Sequence, residues 1–310
     1  MTSVLNYLLE ANICLIVFAG LYFLLLRNET ALKFRRYFIL LALVATLAMP
    51  LWHFEAPLNN TLMEISSMPT TILPELSIGD TIAAQTTGTT EGNNYLKYIY
   101  FGYWAIAILI AQLFIFQIMQ IGWFIFSKKT TVEVNNGIFF VKTKGTLPTF
   151  SFFNFLFFDD SVTLSLNEKN KVIDHEMAHI KQWHSLDIVL LELAKIILWM
   201  NPMIWYLKRE SQELHEYLAD NQVTTHADTK QYKSLLAKMA LSQAHLALGH
   251  HFNKSTTLKR IAMLNQVKKQ VKSWKIAITI PLVALTLFII SCNDEVMQDI
   301  DTSMQTASQT

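Results

Sequence analysis

Apolar residues in this chain collect into four long runs separated by polar connections. Crossing about 30 Å of hydrocarbon takes roughly 20 helical residues. Leu5–Leu26, Tyr37–Phe54 and Tyr98–Phe126 meet that length. Ile276–Ser291 is shorter and contains Pro281, but it is almost free of polar residues and is preceded by Trp274 and Lys275. The pattern therefore predicts four spanning helices, with a buried core helix as the alternative for the fourth. The first run carries Glu10 and Asn12 near its start and is followed by Arg27, the reverse of the charge order of a secretory signal, so it reads as a retained helix.

Between the third and fourth runs the periodicity shortens. Val132–Val134 and Ile138–Lys142 flank Asn136-Gly137, a hairpin signal because Asn-Gly accepts the positive φ angles of a type I′ turn. A second pair is expected from Phe150–Phe158, a turn at Asp159-Asp160-Ser161 and a return over Val162–Leu166. Ser165 and Glu168 have the spacing of a capping box and open a helical pattern running to about Met200. Asn201-Pro202 restarts the chain as an N-cap followed by proline, giving a helix to about Val223. Helices are also expected over Thr229–Leu248 and Ser255–Lys272. Leu186–Met200 is too uniformly apolar for a surface helix, so it should rest against the spans or the bilayer. The fold class expected is mainly α: a four-span helical membrane protein with an α+β domain and a small β-hairpin region.

Composition agrees with the pattern. The 310 residues are 52% hydrophobic and 16% charged, with a formal net charge of +1, which excludes a disordered chain and a global attraction to nucleic acid. Two cysteines allow one disulfide at most. The distribution of Lys and Arg sets an orientation. Arg27, Lys33, Arg35 and Arg36 crowd the first connection, Tyr37–Leu96 has none, and Ser127–Lys275 carries 20 basic against 13 acidic residues. The positive-inside rule then puts both termini outside, the loop 55–97 outside and the domain 127–275 in the cytoplasm of a multi-pass inner-membrane protein. An acidic tail, 292–310, follows outside.

The chemistry concentrates in His175-Glu176-Met177-Ala178-His179. Residues i and i+4 share a helix face, so both imidazoles can reach one Zn²⁺ while Glu176 is offset towards a water on the open side. A peptidase zinc needs a third protein ligand and an open position. Glu213, His215, Glu216 and Asp220 lie within two turns of the next helix, and Glu216 and Asp220 share a face. One of that pair can bind metal while the other orients a ligand histidine. Glu213 and His215, off that face, read as exposed surface. Both motif turns lie about twenty residues from the Asn-Pro turn, so antiparallel packing can bring them together. His184, Asp187, His215 and Tyr217 lie near enough to be considered for transition-state contacts, with a structural role the simpler reading of each. The edge of the Asn-Gly hairpin could add an extended substrate as a strand.

The order of spans, the His-Glu-x-x-His helix, the Trp199–Trp205 stretch around Asn-Pro and Glu216–Asp220 resembles the integral-membrane zinc metallopeptidases typified by the beta-lactam sensor-transducers. The resemblance covers roughly residues 1–291, and the run Ser151–Phe155 looks like that family's lead-in to its catalytic helix. It implies zinc ligands at His175, His179 and Glu216, a catalytic base at Glu176 and an orienting carboxylate at Asp220. It also implies site-specific proteolysis of a protein substrate, a transcriptional repressor or the chain itself. The family's penicillin-binding domain follows the fourth span, whereas Cys292–Thr310 is all that follows here, so direct beta-lactam sensing by such a domain is not expected.

Two other readings stay open. One is a membrane quality-control or protein-processing zinc protease, which pairs the same motifs; the other is a non-catalytic zinc-containing signalling scaffold. No phosphate loop or nucleic-acid motif emerges, so no direct nucleic-acid binding is expected. At the C-terminal junction, Lys268–Lys275, an apolar run and Ser291-Cys292 have the layout of a lipoprotein signal, against the simpler reading of a last span with an incidental cysteine.

Overall fold

The computed structural model describes residues 2–51, 94–126, 132–135, 137–226, 228–244 and 251–265, with 274–275, 277–279 and 281–283. Most of the loop 55–97, most of the expected fourth span and all of Cys292–Thr310 lie outside the described residues. Among the described residues three helices are long and apolar enough to cross a membrane: Val4–Leu26, Leu32–Leu51 and Lys97–Phe126. The first is α1 (Thr2–Leu21) continued by a π turn, Tyr22–Leu26. The others contain α2 (Leu32–Ala48) and α3 (Asn94–Phe126). The second helix begins five residues before the apolar run does, which brings Arg35 and Arg36 into its first turns. Arg35 is buried there, its guanidinium donating to the Tyr22 hydroxyl at 2.8 Å, and that hydroxyl donates to Glu210 Oε2 at 3.2 Å.

The strands β1 (Val132–Asn135), β2 (Ile138–Lys142), β3 (Phe150–Phe152) and β4 (Phe155–Phe158) form one sheet in the order β1-β2-β4-β3. The first hairpin closes as expected, with Asn135 opposite Ile138 and Gly137 at φ +79°. The second pair differs from expectation: β3 and β4 pair antiparallel within Phe150–Phe158, turning at Phe153-Asn154. Aromatic stacking supports it, with Phe150 and Phe157 rings 4.4 Å apart. Asp159, expected in the turn, instead uses its carboxylate to accept from the Gly145 and Ser161 backbone N–H groups, each at 3.0 Å. Such side-chain bonds to backbone compete with strand pairing, and 159–164 contain no strand.

Helix α4 (Leu166–Lys181) opens on the capping box: Ser165 Oγ accepts from Glu168 N at 3.3 Å and Glu168 Oε2 accepts from Ser165 N at 2.8 Å. The single helix expected to Met200 is broken at Trp183, which is left-handed at φ 57°, and α5 (His184–Ile197) starts afresh. Tertiary contacts outweigh local preference at this joint. Arg36 donates to the Gln182 carbonyl at 2.6 Å, and Ser185 Oγ accepts from Phe153 N at 2.8 Å. Asn201 caps α6 (Pro202–His226) through Met203 N at 3.0 Å. Helices α7 (Thr229–Ala244) and α8 (His251–Asn265) follow.

Among the described residues, most of the buried apolar side chains gather in two clusters. Leu156, Val172, Val223, Tyr232 and Leu235 join the sheet to α4, α6 and α7. The other combines Leu15 and Phe18 of α1, Ile39 and Leu43 of α2, Leu191, Ala194 and Leu198 around α5, and Ile204 and Leu207 of α6. The expected contact of Leu186–Met200 with the spans is thus found as a shared core.

Candidate metal centre

His175 and His179 stand one turn apart on α4, and α6 packs against α4 so that Glu216 meets them. His175 Nε2 and His179 Nε2 are 3.2 Å apart, His175 Nε2 and Glu216 Oε2 3.4 Å, and His179 Nε2 and Glu216 Oε1 3.6 Å. Among the described residues these three form the one group of His, Cys, Asp and Glu placed to hold a metal ion. Asp220 lies one turn beyond Glu216 and reaches the other ring nitrogen of His175, Oδ1 to Nδ1 at 3.2 Å. Glu176 is buried beside them.

Two residues with no motif complete the arrangement. The Tyr232 hydroxyl of α7 donates to Asp220 Oδ1 at 2.7 Å and lies 3.1 Å from His175 Nδ1. Arg260 of α8 donates to Asp220 Oδ2 at 2.8 Å and pairs with Glu216 Oε2 at 2.9 Å, so one guanidinium spans both carboxylates. Neither signal was visible along the chain, because α7 and α8 reach the site only through packing.

A second polar line runs from His179 towards α2. His179 Nδ1 and His184 Nδ1 are 2.8 Å apart, and the His184 ring stacks on His215 with centroids 4.1 Å apart. His215 Nε2 meets Asp187 Oδ2 at 2.8 Å, and Arg36 donates to that same oxygen at 2.6 Å. His215 is therefore buried and not the exposed surface expected. Glu213 is also partly covered, paired with Lys259 at 2.5 Å.

Burial dominates the electrostatics of the site, and specific partners decide where it loses. Burial works against charge on His175, but hydrogen bonds to Asp220 and Glu216 outweigh it and raise its pKa to about 9. His179 is lowered to about 3 by burial and then by the charge of His175. Burial also raises Glu176, against a hydrogen bond from Ser151 of β3. Glu216 goes the other way, to about 2, because the His175 hydrogen bond and the Arg260 charge overcome burial. An ionised Glu216 beside a neutral His179 is the state a metal requires, and loss of the His175 proton completes it.

A cavity of about 570 Å³ opens on these groups, lined also by Phe150, Ser151 and Phe152 of β3, by Tyr217 and by His184. The sheet edge at the site is thus β3; the Asn-Gly hairpin forms the opposite edge.

Residues 157–264, from β4 to α8, match the family model described as BlaR1 peptidase M56. Regulatory protein BlaR1 of Bacillus licheniformis is 31% identical over 101 residues, which is 33% of this chain and 15% of that relative. The chain thus matches about 15% of the length of its curated relative. The motifs that carry the resemblance, the His-Glu-x-x-His helix, the Asn-Pro break and Glu216–Asp220, all lie inside residues 157–264, the stretch that matches the BlaR1 peptidase M56 model.

Proposed function

We propose that this chain is a membrane-bound zinc endopeptidase that cleaves a cytoplasmic regulatory protein, a transcriptional repressor or the chain itself. One observation carries the metal. Ligands at about 2.0–2.1 Å from a tetrahedral ion lie about 3.3–3.4 Å from one another, and the three nitrogen and oxygen atoms here are 3.2, 3.4 and 3.6 Å apart. His175, His179 and Glu216 would hold the ion at the wall of the cavity.

Zinc, when bound, lowers the pKa of its water towards about 7 and polarises the scissile carbonyl. Glu176 is the base: its carboxylate would take the water proton and pass it to the leaving amine, and the upward shift that burial gives it strengthens it for the first of these transfers. Asp220 and Tyr232 fix the His175 ring. With His179 Nε2 turned to the metal its proton sits on Nδ1, and His184 Nδ1 accepts it. An extended substrate pairs along β3, where Ser151 holds the base. The regulatory role is proposed by analogy with the regulatory protein of Bacillus licheniformis that the chain resembles, and the cytoplasmic placement from the distribution of Lys and Arg.

Metal analysis of purified protein tests the reading. Wild type carries one zinc per chain, and His179→Ala and Glu216→Ala lose it; full retention of zinc by both variants overturns the site. Indiscriminate cleavage of unrelated proteins by the wild type transfers the reading to quality control, and zinc-dependent folding without cleavage of any protein transfers it to a scaffold.

A further inference from the structure

Helix α5 is inside out for a helix in water. Its exposed side chains are Leu186, Leu190 and Leu193, while His184, Asp187, Glu192 and Lys195 are all buried. The inversion extends beyond the helix. From Gln182 to Lys208 every exposed residue is apolar (Trp183, Leu186, Leu190, Leu193, Met200, Pro202 and Trp205), and exposed charge resumes only at Arg209. We infer that α5, the turn Leu198–Asn201 and the first two turns of α6 form a hairpin that enters the bilayer beside α1, α2 and α3 and turns back near its middle, with lipid acyl chains as the partner of its leucine face. The inference rests on α1–α3 crossing a membrane and is independent of the peptidase chemistry.

Three helices give the same depth. At the basic ends of α1 and α2, Glu210 is bonded to Tyr22 and Arg35, and Asp187 to Arg36. At the tip, Asn201 Nδ2 donates to the Asn12 carbonyl of α1 at 3.1 Å, and the Tyr103 hydroxyl of α3 donates to the Ile197 carbonyl. Tyr22 to Asn12 is ten residues, Glu210 to Asn201 nine and Asp187 to Ile197 ten. At about 1.5 Å per residue each path is about 15 Å, half of a hydrocarbon core of about 30 Å. A fourteen-residue helix is too short to cross, so it must turn back inside.

Irregular backbone is tolerated at such depth only where its polar groups are satisfied by protein. Several of the turn's carbonyls and the Asn201 side chain are satisfied in this way. Besides the Ile197 carbonyl, the Leu198 carbonyl accepts from Asn201 N at 2.9 Å and the Trp199 carbonyl from the Trp205 indole at 3.0 Å. The Asn201 side chain caps α6 and bonds α1 at once. The ionisable groups of the hairpin obey the same rule: Glu192 pairs with both Lys195 and Lys208, and Lys195 also sits over the Trp205 ring.

The test places nitroxide labels on cysteines introduced singly at Leu186, Leu190, Leu193, Met200 and, as a water-exposed reference, Leu166, in the full chain carrying Cys292→Ser; Cys14 is buried. In vesicles of phosphatidylcholine and phosphatidylglycerol, collisions with oxygen, which concentrates in hydrocarbon, should rise from Leu186 to Leu193 and Met200. Collisions with a water-soluble nickel chelate should fall in the same order. Values at Leu193 and Met200 equal to those at Leu166 overturn the hairpin. Wild-type protein in vesicles doped with a lipid bearing a photoreactive diazirine in mid-chain gives a check free of labels. Adducts on peptides spanning 186–205 are expected, and their absence while α3 peptides are labelled overturns the inference.

Discussion

Helices α4 and α5 follow one another across a single left-handed residue and are built for different solvents. The exposed residues of α4 include Asn167, Lys169, Asn170, Asp174 and Lys181, and its buried face carries His175 and Glu176. Those of α5 are leucines around a core of charge. Both helices bury ionisable groups, so burial of charge does not distinguish a reactive site from a structural one. What differs is where those groups point. Asp187, Glu192 and Lys195 are consumed by ion pairs with other side chains, whereas the Nε2 atoms of α4 and the carboxylate of Glu216 converge on a cavity.

The largest effect belongs to α4. Glu176→Gln should keep zinc and lower turnover of a cleaved substrate by about 10²–10⁴-fold, because it removes the base and no ligand. Equal losses of zinc and turnover in this variant would make Glu176 a ligand instead.

The link between α5 and α2 comes next. Arg36→Ala leaves Asp187 without its cation, and breaking a buried pair from one side costs about 3–5 kcal/mol, read as a lower denaturation midpoint in mixed micelles. Arg36→Lys keeps the charge but not the fork that reaches both the Asp187 carboxylate and the Gln182 carbonyl, so it should recover only part of the loss.

The contrast between the two exposed faces can be measured with one substitution at two places. Arginine costs about 2.5–3.5 kcal/mol near the centre of a membrane helix, so Leu193→Arg should lower assembly in lipid by an amount of that order. Leu166→Arg, at the exposed start of α4, should stay within about 0.5 kcal/mol of wild type. Equal responses would erase the distinction. The smallest effect is Ser165→Ala, about 1 kcal/mol of stability from the lost cap of α4, with turnover per folded molecule unchanged.

Much of this was legible along the chain because it depends on short spacings. The i, i+4 pairs 175/179 and 216/220, the Ser165/Glu168 box and the first hairpin each need only the geometry of one element, and each is found where those spacings put it, whereas the helix that contains most of the second apolar run starts five residues earlier, at Leu32. The misreadings arose where distant residues decide. His215 looks like surface on its own helix and is buried because Asp187 and His184 arrive from α5.

Consecutive residues alone specify membrane-spanning lengths of apolar helix and a His-Glu-x-x-His helix with carboxylates a helix away, since length and period are local properties. Tertiary structure alone decided three things: which edge strand faces the cavity, that Tyr232 and Arg260 brace the carboxylates, and that α5 turns its leucines outward against the grain of its charges. Those outcomes depend on contacts between residues as far apart as Arg36 and Asp187, and no local pattern specifies which distant partner a buried polar group will find.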